Sequence, residues 1–220
     1  MPERMRQLFC SLFLFMSLMT VAQTTTDSTF LATAIPDSVW TRMQGKTYRQ
    51  NAYIQRSDLR YLRLHYVDFE GKERVGEMVC NRAIAADLLD IFCQLFEARY
   101  PIERIQLPDD FDADDERQMR ANNTSCFCFR VIKGSTKFSA HAQGLAVDLN
   151  PLYNPCVKMR RDGTLFIQPS TAAPYVDRSR RFAHKIDRQD LAYRLFIQHG
   201  FSWGGAWRSS KDYQHFEKDK

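Results

Sequence analysis

The feature that most constrains this chain is a pair of short blocks that must meet in space. The first reads Ser139-Ala-His141-Ala-Gln-Gly144-Leu-Ala146-Val-Asp148, the second Asp212-Tyr-Gln-His215-Phe. Imidazole nitrogens and a carboxylate oxygen are donors that hold zinc, and a set of two His and one Asp leaves the fourth position open, as catalytic sites do. His141, Asp148 and His215 are therefore candidate metal ligands, with Zn2+ the candidate cofactor. Asp212 is the candidate general base that such a site needs. A fold that uses these residues together has to lay the second block beside the first.

The local pattern is consistent with that demand. Over Leu145–Leu149, Leu145, Val147 and Leu149 fall on one face of a strand, and Ala146 and Asp148 fall on the other. Gly144 permits a tight turn before the strand, and small Ala146 keeps the face beside Asp148 open. Taken alone, an exposed strand aspartate and a loop histidine would explain Asp148 and His141 equally well. His215 tips the balance, because Tyr213–Glu217 reads as a strand on which Tyr213, His215 and Glu217 share a face, with Asp212 at its start.

With 220 residues the chain suits one domain, expected over 37–220, with a full hydrophobic core. The net charge of +5 is dispersed, Arg and Lys alternating with Asp and Glu, so no nucleic-acid-binding stripe is present. Arg4 and Arg6 precede an apolar run from Leu8 to Val21, closing on Ala22, which reads as a secretory signal peptide over 1–22. The run is too short for a membrane span, so the mature chain is expected to be exported, periplasmic or extracellular, without stable membrane insertion. Residues 23–36 read as a polar tether. Five cysteines (Cys80, Cys93, Cys126, Cys128, Cys156) follow the signal, an odd number without an evident disulfide framework, and they read as small buried hydrophobes.

A short amphipathic helix is expected from Asp37, with Val39, Trp40 and Met43 inward. A hairpin follows, Leu59–Phe69 returning as Arg74–Val79, and then a helix capped by Asn81 that carries Ile84, Leu88, Ile91, Phe92, Leu95 and Phe96 and stops before Pro101. Strands are expected at Ile102–Leu107 and Thr124–Ile132, with a short helix ending at Met119 between them. Residues 156–186 read as irregular, Ile186–His199 as a helix ended by Gly200. Short strands with segregated helices indicate an α+β domain. His199 reads as a cation at a helix C-terminus, His65 and His184 as surface residues.

Ser139-x-His141-x-x-Gly144-x-Ala146-x-Asp148, with Trp203-Gly-Gly upstream of Asp212-x-x-His215-Phe, resembles the D-alanyl-D-alanine carboxypeptidase-like zinc peptidases, from about Asn122 to the C-terminus. The resemblance implies a hedgehog/D,D-peptidase-like fold, a small antiparallel sheet with helices packed on one side and a zinc cleft. It implies cleavage of peptidoglycan stem peptides, with zinc on His141, Asp148 and His215 and Asp212 as catalytic base. Some members place an arginine near Arg130 that steadies the substrate carbonyl oxyanion, a task suited to the guanidinium fork. Ser139 is expected to hydrogen-bond substrate or a ligand; Trp203 and Trp207 either floor the cleft, where Trp203 would meet substrate, or merely pack. Where the branch that cuts L-Ala–D-Glu bonds continues Trp-Gly-Gly with aspartate and tryptophan, this chain has Trp203-Gly-Gly-Ala206-Trp207, yet Asp212 resembles that same branch. Removal of terminal D-Ala is the expected activity, with L-Ala–D-Glu endopeptidase or a zinc-dependent binding module as alternatives.

Overall fold

The computed structural model describes residues 30–130 and 138–219. The expected signal peptide over 1–22, the first part of the tether and Val131 and Ile132 lie outside the described residues. The rest of the tether departs from expectation. β1 (Leu31–Thr33) pairs antiparallel with β2 (Leu59–Val67), Leu31 opposite Arg63, and Ile35 is buried. Backbone pairing and one apolar anchor bring this stretch into the fold, a long-range effect that polar composition does not reveal. Helix α1 (Asp37–Met43) then buries Val39 and Met43, as its spacing predicts.

β2 returns as β3 (Glu73–Asn81), Leu59 opposite Asn81 and Val67 opposite Glu73. Leu62, Leu64 and Tyr66 of β2 turn into the core, where α2 (Ala85–Glu97) lays Leu88, Ile91, Phe92 and Leu95 against them. Asn81 does not cap α2; Ile84 occupies that position without a side-chain bond. Asn81 instead accepts a bond from the Ala83 amide (3.0 Å), and its side chain donates to the Gln143 carbonyl (2.9 Å). It works as a tie between β3 and the segment that carries His141.

The two strands expected next are mostly irregular. β4 (Arg104–Ile105) and β5 (Asn123–Thr124) form a short parallel pair, flanking α3 (Asp115–Arg120). Beyond Thr124 successive amides serve different neighbours: Phe127 donates to Val79, Cys128 to His141 and Phe129 to Thr47. An extended segment stitched to several partners makes no ladder, although it keeps Cys126, Phe127 and Cys128 buried.

β6 (Ala146–Asp148) follows, and then comes the largest correction. Residues 156–186 contain a hairpin, β7 (Cys156–Met159) and β8 (Leu165–Gln168), closed by an Arg160 amide bond to Thr164 (2.8 Å) with Gly163 at φ 81°. Asp162-Gly163 is a strong hairpin-turn dipeptide; the arginines around it obscured the signal. Helix α4 (Leu191–Gln198) starts later than Ile186, because Asp190 caps it through the amides of Ala192 and Tyr193. It ends where Gly200, at φ 82°, takes the left-handed conformation.

β9 (Ser202–Trp203), β10 (Lys211–Asp212) and β11 (His215–Glu217) complete the chain. The result is mixed α and β structure whose antiparallel part is three small sheets, β1-β2-β3, β10-β7-β8 and β6-β11-β9, rather than one. One apolar cluster joins the first and third of these sheets: Leu62, Leu64 and Met78 from the β2–β3 hairpin, the α2 stripe, Phe196 from α4, Val147 and Leu149, and Phe216. Among the described residues no helix is long and apolar enough to cross a membrane.

Candidate metal centre and active site

The core orients the site. Val147 and Leu149 are fully buried in the apolar cluster, so strand alternation turns Asp148 to the opposite face. Phe216 stacks on Phe196 (centroids 4.3 Å apart, planes at 14°), which turns His215 and Glu217 the same way. β11 pairs with β6 in a register that sets His215 directly opposite Asp148. His141 arrives from a 3-10 turn, Ala140–Gln143, ended by Gly144 at φ 67°. A side chain at Gly144 would strike the Asn81 amide at 2.6 Å, so glycine serves both the left-handed turn and the close approach to β3.

Three donor atoms converge there. His141 Nε2 lies 3.2 Å from His215 Nδ1 and 3.3 Å from Asp148 Oδ1, and His215 Nδ1 lies 3.1 Å from Asp148 Oδ1. Ligands about 2.0–2.1 Å from a tetrahedral zinc are separated by about 3.3 Å. The spacing of the donors matches.

The second nitrogen of each ring fixes which atom faces inward. His141 Nδ1 lies 2.7 Å from the Cys126 carbonyl, an acceptor only, so Nδ1 carries the proton and Nε2 offers its lone pair. His215 Nε2 lies 3.2 Å from Glu217 Oε2, which in the same way leaves Nδ1 as the donor atom. Lone pairs of two rings and a carboxylate therefore face one another in a buried site, an arrangement that calls for positive charge. A proton on His215 supplies it in part. Burial would depress the His215 pKa, but hydrogen bonds to the Asp148 and Glu217 carboxylates raise it well above the ordinary value. Burial would raise Asp148, yet the facing imidazoles hold it below the usual carboxylate range. The donor set fits a divalent metal, which on binding would displace that proton.

Asp212 stands beside the triad. Its Oδ1 is buried without a hydrogen-bond partner, and burial pushes its carboxyl up to about 6, against the opposing attraction of His215. It reaches this place because Gly204 has no side chain: a Cβ there would lie 2.7 Å from the Asp212 carbonyl oxygen and 3.3 Å from the His215 Cβ. Trp203-Gly-Gly thus acts as a spacer under the strand that carries His215. Asp212 and the triad open on a cavity of about 630 Å³, whose walls include Arg130, Ser139, Trp207 and the β7–β8 hairpin.

Residues 133–218 match the family described as D-alanyl-D-alanine carboxypeptidase. The likeness covers the segment that carries His141, Asp148, Asp212 and His215. No curated protein and no solved structure matches the chain significantly. The M15 peptidases to which this family belongs are zinc-dependent, and the His141, Asp148 and His215 cluster lies within the matched segment. The mixed architecture of small antiparallel sheets and few helices is compatible with that family's fold.

The remaining site residues are placed as follows. Arg130 lines the cavity and its Nε lies 2.8 Å from Asp115 Oδ2, but with poor hydrogen-bond alignment, so the pair is electrostatic. Ser139 also lines the cavity, and its hydroxyl accepts a bond from the His141 amide (3.3 Å), capping the turn that presents the ligand. Trp203 corrects the sequence reading. It is buried in the core, its Nε1 donating to the Tyr213 carbonyl (2.9 Å), and it does not border the cavity. Strand pairing with Phe216 turned it inward. Trp207 borders the cavity instead, its ring centroid 5.2 Å from that of His215. Gln214 was missed: it is buried in the cavity wall, and its Oε1 has no partner. Its position between Asp212 and His215 was the available signal.

Cys80, Cys93, Cys126, Cys128 and Cys156 are free; Cys80, Cys126 and Cys128 are buried as expected, whereas Cys93 and Cys156 are only partly so. His199 does more than balance a helix end, since it bridges Asp87 (3.1 Å) and Asp90 (2.9 Å) on α2 and so ties α4 to it. His184 is half-buried, stacked on Phe69 at 3.6 Å.

Proposed function

We propose that this protein is an exported zinc peptidase that acts on peptidoglycan stem peptides and removes terminal D-Ala. The observation that carries the reading is the convergence of three metal-donor lone pairs beside the unpartnered carboxylate of Asp212, in one cavity. The family match supports peptide substrates derived from peptidoglycan, and the apolar N-terminal run after Arg4 and Arg6 supports export.

In this reading His141 Nε2, Asp148 Oδ1 and His215 Nδ1 hold Zn2+. When bound, the ion supplies Lewis acidity and lowers the pKa of a water towards ~7. The chain's own residues do the rest. Asp212, whose buried carboxyl is raised to about 6, takes the proton of the attacking water and passes it to the leaving amine. Arg130 offers guanidinium donors to the oxyanion that develops on the scissile carbonyl. Glu217 and the Cys126 carbonyl keep both imidazoles in the tautomer that faces inward. Ser139 holds the His141 turn. A binding module would have no use for a buried carboxylate oxygen without a partner at this position.

The test is mass spectrometry of defined pentapeptide muropeptides after digestion by the parent protein and by Asp212→Asn, with metal content measured on both. Loss of one alanine from the stem by the parent, and retention of zinc with turnover reduced at least 100-fold in Asp212→Asn, is the expected result. Full activity of the zinc-loaded variant would refute the role of Asp212. Release of the stem beyond its first L-Ala would assign the endopeptidase activity instead, and no cleavage by zinc-loaded parent protein would favour a binding module.

A further inference from the structure

The β7–β8 hairpin places a row of unpaired cations on the wall of the cavity, and the strand register says where. Asp212 on β10 is opposite Cys156 on β7, so these two side chains stand together beside the triad. Alternation then puts Lys158 and Arg160 on the same face, at roughly 7 Å steps along the strand away from Asp212. Across the hairpin Gln168 is opposite Cys156 and Phe166 opposite Lys158, and all of these residues line the cavity. Arg161 joins the row at the turn.

Two features separate this row from an ordinary solvated surface. Among the described residues Lys158, Arg160 and Arg161 form no ion pair, although the cavity's other cation, Arg130, is matched with Asp115. The Arg160 guanidinium is also seated over the Phe166 ring, 5.2 Å from its centroid, which holds the charge on the cavity side of the hairpin. Unpaired like charges on one strand repel one another, a cost that an anionic ligand removes.

We propose that Lys158 and Arg160 form an anion subsite that binds a carboxylate of the peptide substrate and so sets its position along the cavity. The inference rests on the peptidase reading above and names the specificity-determining residues of that site. The nearer cation, Lys158, has the reach to meet a carboxylate one residue from the scissile bond, and Arg160 one farther out. In a stem peptide the first corresponds to the free C-terminus of the leaving D-Ala, the second to a carboxylate borne elsewhere on the stem.

The test uses the full chain carrying Asp212→Asn, to suppress turnover, with and without Lys158→Gln and Arg160→Gln. The probe is the stem pentapeptide L-Ala-γ-D-Glu-L-Lys-D-Ala-D-Ala, as the free acid and as its C-terminal amide, titrated by calorimetry. Both substitutions are at exposed positions, and an unchanged melting temperature confirms folding. Each is expected to weaken binding of the free acid about 10-fold, as loss of a charge-assisted contact does. If the terminal carboxylate is the ligand, the amide binds the unsubstituted protein about 10-fold more weakly and is indifferent to Lys158→Gln. If another carboxylate is the ligand, acid and amide bind alike and both are weakened by the substitutions. Equal affinity of the substituted and unsubstituted proteins for the free acid would overturn the subsite, as would failure of the probe to bind any of them. Cleavage by protein with native Asp212 is scored separately: a cleaving enzyme whose affinity ignores Lys158 and Arg160 sinks the subsite alone, whereas carboxylate-dependent binding without cleavage sinks the peptidase reading alone.

Discussion

Replacing Gly204 by alanine probes how the site is assembled. Gly204 does not sit in the left-handed region, so alanine carries no backbone penalty there and the whole effect is steric. The new Cβ would lie 2.7 Å from the Asp212 carbonyl oxygen and 2.8 Å from the Asp212 Cβ, about 0.7 Å inside the 3.4 Å at which ordinary van der Waals contact begins. It would also lie 3.3 Å from the His215 Cβ. None of these atoms is the free end of a flexible side chain, so relief requires the β10–β11 backbone to move. Overpacking of this kind costs about 1–3 kcal/mol, which for a domain of this size lowers the melting temperature by roughly 2–12 °C. Misplacement of a catalytic group by an ångström costs about 100-fold in rate, so a shift of this size should reduce kcat by at least about 10-fold while KM changes little. Thermal unfolding by circular dichroism and steady-state release of alanine from a pentapeptide provide the two readings. A Gly204→Ala protein with the parent's melting temperature and the parent's kcat would show that the Trp203-Gly-Gly segment does not position Asp212 and His215, and the reasoning would fail.

The two tryptophans should part company. Trp203→Ala opens a hole in the core and is expected to destabilise by about 3–5 kcal/mol, whereas Trp207→Ala should leave the melting temperature within a few degrees and raise KM; the reverse pattern, read from thermal melts and kinetics, would refute the placement of the two rings. The α2–α4 tie gives a pH dependence. Burial would raise the Asp87 pKa, but Lys218 and His199 lower it below the ordinary carboxylate value. A depressed folded-state pKa means that this stabilisation is complete above the unfolded pKa of about 4 and is lost as the pH falls through the folded value. Asp87→Asn should therefore flatten the loss of stability below about pH 4 in denaturant titrations, and an unchanged acid limb would exclude the network as its source.

The parts of the site carried by short, alternating segments were legible before any tertiary structure. Leu145, Val147 and Leu149 announce which face of β6 is buried, and Asp148 is on the other face by the geometry of a strand alone. Phe216 does the same for His215. The structure brings His141, Asp148, His215 and Asp212 together as that reasoning anticipates. Trp203 and Trp207 escaped it because neither lies in a segment long enough to define a face; the pairing of Trp203 with Phe216, residues far apart in sequence, turned one ring inward and left the other at the cavity. Asn81 escaped it for a related reason. Its sequence neighbourhood is that of a helix cap, but a backbone carbonyl from the His141 turn competes for its amide.

By itself the sequence determined which residues bring imidazoles and carboxylates and which strand faces turn inward, because residue chemistry and strand periodicity are local properties. The tertiary structure alone decided that β7 lies against β10 and carries Lys158 and Arg160 to the cavity wall, that the last residues of the expected tether form a strand, and that one tryptophan supports the site from beneath while the other faces it. Each of these depends on which distant backbone satisfies a strand edge and on how closely a glycine lets two segments approach. Those are properties of the packed chain, settled only when burial and hydrogen bonding are satisfied everywhere at once.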